Sequence, residues 1–198
     1  MKKFKVTINA PIVLGFVFVC AISIDYRYFN TRMSTEALFM TYHSSLKNPM
    51  TYLRFFTHVF GHEGMSHFIG NTIYILLLGP LLEEKYGSSC LIKVILVTAF
   101  VTGIVNYIFF PQIALCGASG VVFAFIVLSS FTGFKNGEIP LTFILVVVLF
   151  LGQQIYEGIA LHDNVSQITH IIGGAIGGFV GYFFNRNEIA DLVKINIV

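Results

Sequence analysis

The stretch VILVTAFVTGIVNYIFFPQIALCGASGVVFAFIVLSSFTGF, residues 94–134, carries no charged residue and is long enough for two membrane-spanning helices. A helix that crosses the hydrocarbon core of a bilayer needs about 20 predominantly apolar residues. Pro111 and Gly117 interrupt the stretch, because proline removes a helical hydrogen bond and glycine favours turns. We therefore expect one helix over residues 91–110 and another over residues 117–134.

The whole chain has the composition of an integral membrane protein. Its 198 residues are 56% hydrophobic and 11% charged, with a mean hydropathy of +0.79, whereas soluble domains carry about 25% charged residues. The net charge of +2 gives no indication of nucleic-acid binding. Three scattered cysteines lack the spacing of a disulfide framework or a zinc site. The length predicts one domain, residues 1–198, without a large soluble module.

Further apolar windows predict four more helices, over residues 8–25, 66–83, 139–157 and 166–185. Because open sheets are not tolerated in lipid, the expected fold is an all-α membrane protein with six transmembrane helices. The long first loop, residues 25–63, is rich in aromatic residues and is expected to be partly embedded in the membrane interface. Lys2, Lys3 and Lys5 favour a cytoplasmic N-terminus, and six crossings then place the C-terminus in the cytoplasm as well.

This topology brings polar side chains from three helices to one depth in the membrane. The second, fourth and sixth predicted helices run in the same direction, so their N-terminal ends lie on the outer side. His67 and Asn71 lie near the start of the second helix, Ser119 near the start of the fourth, and His170 in the first turns of the sixth. At 1.5 Å per residue, each lies about 5–12 Å below the outer surface. Polar and ionisable side chains at such a depth indicate a functional site.

Ser119 and His170 have the chemistry of a nucleophile and its base. A serine nucleophile needs a base within hydrogen-bond reach, and a histidine can take the serine proton and later return it. Gly117 and Gly120 flank the serine, and free backbone N–H groups at a helix start suit an oxyanion. Two alternatives stay open at this point. The Gly-Ala-Ser-Gly run also fits a patch for close helix packing, and His170 could instead be satisfied by a backbone carbonyl.

Two further pairs of polar residues have the spacing that places them on one helix face. His67 and Asn71 are four residues apart, and both side chains can donate hydrogen bonds to an oxyanion. His58 and His62 have the same spacing, which suggests a zinc site. However, Val59 stands where zinc proteases of the HExxH type carry a glutamate, so we favour structural hydrogen bonding for this pair and expect no metal.

The residues after His170 predict a close helix contact. Gly173 and Gly177 share a helix face with His170, and small residues at this spacing let two membrane helices approach closely. The expected neighbour is the helix that carries Ser119. Asp163 lies seven residues before His170 and is expected to be a solvated loop residue, so the sequence predicts a catalytic dyad.

In combination, these residues resemble the rhomboid family of intramembrane serine proteases, in its minimal six-helix bacterial form. The resemblance covers roughly residues 6–185. It rests on a set of motifs in a fixed order, namely Arg54, His58-x3-His62-x4-His67-x3-Asn71, Glu83, Gly117-x-Ser119-Gly120 and His170-x2-Gly173-x3-Gly177.

The resemblance implies a role for each site residue. Ser119 would be the nucleophile and His170 the base, without a third acid. His67, Asn71 and the backbone N–H of Ser119 would form the oxyanion hole. Glu83 would hold the second helix at its inner end. No cofactor and no metal are implied.

The resemblance also implies what surrounds the site. Transmembrane proteins would be the substrates, and the protein would be a multi-pass protein of the bacterial cell membrane. The fifth helix and residues 157–167 would form a lateral gate and cap through which a substrate helix enters. Residues 25–63 would be the half-embedded first loop of the family.

The chain departs from the family pattern at three positions. Phe123 stands where the family often has a tyrosine stacked on the catalytic histidine, Thr169 replaces a common alanine, and Leu53 replaces the tryptophan of a Trp-Arg pair. The missing hydroxyl at Phe123 keeps a second interpretation open, a catalytically impaired pseudoprotease that binds or escorts membrane proteins. A small transporter is a third class, but it predicts inverted repeats, which are not evident in the sequence.

Overall fold

A computed structural model describes residues 6–29, 32–134, 138–160 and 164–195, and these residues are mostly helical. The helices are α1 (Pro11–Phe29), α2 (Arg32–Phe39), α3 (Pro49–Thr57), α4 (Met65–Tyr86), α5 (Ser88–Phe109), α6 (Ser119–Ser130), α7 (Leu141–Ala160) and α8 (Asn164–Ile195). Short 3-10 turns follow α3 and α6. The predicted all-α fold is therefore confirmed.

Within the described ranges, three helices are long and apolar enough to cross a membrane: α4, α5 and the Gln167–Arg186 part of α8. Shorter apolar helical stretches cover Pro11–Ile24 and Ser119–Gly133. The count of six crossings thus stays a prediction. The α8 helix runs to Ile195, past the expected end at residue 185, because its polar continuation consists largely of good helix formers.

The α6 helix lies at the centre of the bundle and is buried on nearly all sides. It packs against α4, α5, α7 and α8, and its buried side chains include Val121, Val122, Ala124, Phe125, Val127 and Leu128. A helix that is surrounded by other helices must be apolar around its whole circumference. Ser119 is the first residue of this helix, and the residues from Gly120 to Leu128 that follow it are all apolar.

The closest helix contact in the molecule joins α6 to α8 through glycine. A Cβ atom at Gly173 would overlap the carbonyl oxygen of Gly120, and one at Gly177 would overlap the carbonyl oxygen of Ala124. The two backbones therefore touch without intervening side chains, as small residues allow in membrane helices. This confirms that the glycine face after His170 packs on the helix that carries Ser119.

The long first loop contains two helices that the apolar windows did not predict. Asn48 caps the start of α3 by accepting a hydrogen bond from the backbone N–H of Met50 (3.0 Å). Within α3, the side chain of Arg54 is buried and donates to the Tyr42 hydroxyl (2.9 Å) and to Ser44 Oγ (2.7 Å). Thr41 forms a backbone bridge with Leu115, so the loop is tied to the segment that leads into α6.

Glu83, near the end of α4, holds three helices together. Its buried carboxylate accepts hydrogen bonds from the backbone N–H groups of Ile12 (3.2 Å) and Val13 (3.1 Å) and from Ser88 Oγ (2.6 Å). The first N–H groups of a helix have no partner within the helix, and a negative charge there is favourable. Glu83 therefore caps α1 while it fixes the α4–α5 turn.

Candidate functional site

A cavity of about 460 Å³ lies where the first turns of α4 and α6 face α8. We call it the Ser119 cavity. It brings together the predicted site residues His67, Asn71, Ser119, Phe123 and His170. The remaining lining residues are Gly70, Tyr74, Leu115, Cys116, Val122, Ile126, Gln153 and Thr169. Residues that are up to a hundred positions apart in the sequence thus face one space.

The backbone before α6 explains why Ser119 stands at the edge of this cavity. Gly117 has φ +132°, a conformation that residues with a side chain rarely adopt. Its N–H donates to the carbonyl oxygen of His58 (2.9 Å), which holds the turn in place. Ala118 is the N-cap and makes no side-chain cap. The N–H groups of the first turn, including that of Ser119, therefore have no partner within the helix.

Gly117 also makes room for the imidazole of His67. A Cβ atom at this position would lie 2.8 Å from Cε1 and 2.9 Å from Nε2 of that ring. Real Cβ atoms do not approach other atoms so closely, so His67 can lie over the turn only because residue 117 is glycine. The flanking glycine is thus needed both for its backbone conformation and for its missing side chain.

Phe123 lies beside His170 in the lining of the cavity. The two ring centroids are 4.1 Å apart, with an interplanar angle of 33°. Aromatic contacts of this kind are worth about 0.5–1.5 kcal/mol beyond the area that they bury. The phenyl ring therefore supports the imidazole from one face, and the stacking expected at this position does not need a tyrosine hydroxyl.

His62 fixes the side-chain amide of Asn71. Its Nδ1 lies 3.1 Å from the carbonyl oxygen of Phe60, and its Nε2 lies 3.1 Å from Nδ2 of Asn71. A carbonyl oxygen can only accept, so Nδ1 carries the proton and Nε2 accepts a hydrogen bond from the Asn71 amide. Burial, and next the nearby His67, lower the pKa of His62 from 6.5 to about 4, which keeps its imidazole in this neutral form.

His58 lies behind the cavity and supports the turn before α6. It is buried, and its Nε2 donates to the carbonyl oxygen of Ala99 (2.9 Å). Burial lowers the pKa of His58 from 6.5 to about 4. The rings of His58 and His62 thus bind different partners, which confirms the structural interpretation of this pair. Among the residues that the structure describes, no group of three His, Cys, Asp or Glu side chains could hold a metal ion.

The structure adds residues that sequence reasoning did not assign to the site. Cys116 and Tyr74 line the cavity, although neither has a sequence signal beyond its place near a predicted site residue. Gln153 of α7 also lines it. Asp163, and most of the predicted gate at residues 157–167, lie outside the part of the chain whose side chains are described.

Comparison with known proteins gives one consistent match. The model of the rhomboid domain family matches residues 49–187. Rhomboid-related protein 1 of Caenorhabditis elegans is 33% identical over 150 residues, which are 71% of this chain and 42% of that protein. Rhomboid protease GluP of Bacillus subtilis is 27% identical over 155 residues, 76% of this chain and 29% of that protein. Rhomboid protease GlpG of Salmonella choleraesuis is 38% identical over 72 residues, 36% of this chain and 25% of that protein. The chain thus spans less than half the length of each of these three relatives.

Proposed function

The chain belongs to the rhomboid family, and on that premise we propose that it is an intramembrane serine endopeptidase. It would cleave transmembrane segments of other membrane proteins with a dyad of Ser119 and His170. The observation that carries the proposal is the shared cavity of these two residues with His67 and Asn71. Two of the relatives described above are named as rhomboid proteases, which supports a peptidase activity.

We propose six membrane crossings, made by α1 and by α4 to α8, with both termini in the cytoplasm. The shortness of α6 supports a recessed active site. Its 12 residues and the 3 residues of the following turn span roughly 24 Å, against about 30 Å for the hydrocarbon core. With its C-terminal end at the inner interface, α6 would begin roughly 6 Å below the outer one. Ser119 would then lie inside the membrane but within reach of water from the outer face.

In the first chemical step, Ser119 Oγ attacks the carbonyl carbon of the scissile peptide bond, and its proton passes to His170. The carbonyl oxygen becomes an oxyanion. The Asn71 amide donates one hydrogen to His62, and its second hydrogen would bind the oxyanion. His67 and the backbone N–H of Ser119 would supply the other donors.

In the second half of the reaction, His170 gives its proton to the leaving amine as the peptide bond breaks. The acyl group stays on Ser119 until a water molecule, deprotonated by His170, attacks it. The proton then returns to Ser119 Oγ and the acid product leaves. The stack with Phe123 supports the imidazole through both transfers. The protons balance between substrate, water and dyad, so the cycle requires no cofactor.

The substrate must unwind before its backbone can enter this cavity. A helix in the membrane keeps all its carbonyl groups in hydrogen bonds, and breaking them costs less where glycine or proline lowers helix stability. We therefore propose transmembrane segments with a small residue at the cleavage site and helix-breaking residues nearby as the substrate class.

Replacement of Ser119 by alanine tests the proposal. In proteoliposomes with a model transmembrane substrate, we expect Ser119→Ala to lower the cleavage rate by about 10⁴-fold or more. Ser129→Ala is the matched control, because Ser129 lies on the same helix and donates only to the carbonyl oxygen of Ile126 (2.8 Å). This control should cleave at the wild-type rate. Undiminished cleavage by the Ser119 variant would contradict the assignment.

A second candidate function follows from Phe123, which lacks the hydroxyl found in many relatives of the family. A pseudoprotease would bind or escort membrane proteins without cleaving them. Labelling with a fluorophosphonate separates the two functions, since the reagent reacts with an activated serine. We expect labelling of the wild-type protein and none of Ser119→Ala. A wild-type protein that binds the substrate but is never labelled would favour the escort function.

A further inference from the structure

A second and larger cavity lies between α5 and α8, with a volume of about 730 Å³. We call it the α5–α8 groove. Its walls include Val97 and Val101 of α5 and Ile172, Ile176 and Phe179 of α8. These residues lie on a different face of α8 from the glycines that pack against α6. The groove shares no lining residue with the Ser119 cavity.

The groove faces the hydrocarbon of the bilayer. Both of its helices are among the three that are long and apolar enough to cross a membrane. Its wall is open to the surroundings, because Phe179 is 71% exposed and Val97 is 47% exposed. An apolar cavity of this kind does not hold ordered water, which needs two to four polar partners. A hydrocarbon chain can fill it without leaving a void.

One end of the groove is polar and basic. Ser89 and Lys93 line it near the start of α5, and Lys93 is exposed. On α8, the guanidinium of Arg186 lies 5.0 Å from the ring centroid of Phe183, which also lines the groove. Two cations from different helices thus lie at the same end. The long aliphatic stems of such residues let their charges reach the membrane interface.

The dimensions and charges together identify the occupant. We propose that the α5–α8 groove binds one anionic phospholipid, with an acyl chain along the groove and the headgroup phosphate beside Lys93 and Arg186. From Ile172 to Phe184 the groove follows α8 for 184 − 172 = 12 residues, about 18 Å. This length suits an acyl chain, and basic pockets between membrane helices bind anionic headgroups. The proposal needs a membrane-embedded chain but not its protease activity.

Lipid quenching of a single fluorophore tests this site, because the chain contains no tryptophan. The variant Phe179→Trp places the reporter in the groove wall. The variant Phe18→Trp is the matched control, because Phe18 is 66% exposed on α1 and does not line the groove. Each protein is placed in phosphatidylcholine vesicles that contain an equal mole fraction of either brominated phosphatidylglycerol or brominated phosphatidylcholine.

We expect phosphatidylglycerol to be preferred at the groove reporter alone. A basic residue near an anionic headgroup favours binding by about fivefold in occupancy. Quenching of Phe179→Trp should therefore be clearly stronger with brominated phosphatidylglycerol, whereas the two lipids should quench Phe18→Trp equally. Equal quenching at the groove reporter, or the same preference at both reporters, overturns the proposal.

Two second-site changes test separately how much the headgroup and the acyl chain contribute to the preference. Replacing both cations, Lys93→Gln together with Arg186→Gln, in the Phe179→Trp protein should remove most of the preference, because the charges that select the phosphate are lost. Val97→Phe should weaken it by placing a bulkier ring across the path of the acyl chain while both cations remain. Circular dichroism checks that each variant keeps its helix content. An undiminished preference after either change in a folded protein would contradict a lipid that is held by both charge and shape.

Discussion

The Ser119 cavity and the α5–α8 groove lie on two sides of the same helix, yet α8 meets its neighbours in opposite ways at the two places. Beside the Ser119 cavity, Gly173 and Gly177 bring the α8 backbone against the α6 backbone. Along the groove, Ile172, Ile176 and Phe179 line an open apolar space between α8 and α5. One helix thus makes a rigid contact on one face and leaves an open apolar space on the other.

The two regions differ in how much relative movement of their helices they can tolerate. A site that positions a nucleophile and a base on separate helices tolerates little relative movement, since small displacements cost much of the rate. Contact between two backbones removes flexible side chains from between those helices. The groove carries no reacting groups, so side chains can define it and its shape can adjust to a flexible acyl chain.

The largest expected effect comes from breaking the α6–α8 contact. Gly173→Leu should lower the free energy of unfolding by about 3 kcal/mol or more, because its side chain would overlap the Gly120 carbonyl and force the helices apart. Ala175→Leu is the matched control, because Ala175 is exposed and lines the open groove. The control should change stability by less than about 0.5 kcal/mol. Denaturant unfolding in detergent measures both, and equal destabilisation would remove the distinction between the two faces.

A smaller effect is expected from the turn before α6. Gly117→Ala should lower the cleavage rate by about 100-fold, because its Cβ would lie 2.8 Å from Cε1 of His67 at an unfavourable φ of +132°. Gly152→Ala is the control, since Gly152 lies on α7, does not line the Ser119 cavity, and its Cβ would have no atom within 4 Å. It should retain cleavage within about threefold. A Gly117→Ala protein with the wild-type rate would show that His67 does not need its observed position.

The effect that is smallest at neutral pH is a pH dependence of stability that arises from His58 and His62. His58 and His62 have pKa values near 4, against 6.5 as their ordinary value. Between about pH 4 and pH 6.5, the unfolded chain binds more protons than the folded one. The free energy of unfolding should therefore stay level above pH 6.5 and fall as the pH drops towards 4, by up to about 1.4 kcal/mol per pH unit for each histidine.

The variant His62→Gln checks this pH dependence. It removes one of the two depressed groups, so the slope of unfolding free energy against pH should become about half as steep. The lipid preference of the groove reporter should not change over the same pH range, because no histidine lines the groove. An unchanged slope in the variant would mean that His62 is not the group that titrates.

The sequence predicted the main helices and the candidate dyad because both depend on local composition. Apolar runs of sufficient length must be helical in lipid, and Ser119 and His170 stand out as polar groups within such runs. The bond between His62 and Asn71 was not predictable, because His62 lies in a loop and its direction depends on how that loop packs. The capping of α1 by Glu83 was not predictable either, since its partners lie about 70 residues away.

Composition and motifs alone predict a helical membrane protein with a serine and a histidine inside its apolar runs. These properties follow from hydropathy, length and the cost of polar groups in hydrocarbon. Which surfaces of α8 pack closely and which stay open depends on the tertiary structure. That outcome depends on how far apart two backbones lie, which is set by the packing of every helix against α6 and not by any one stretch of residues.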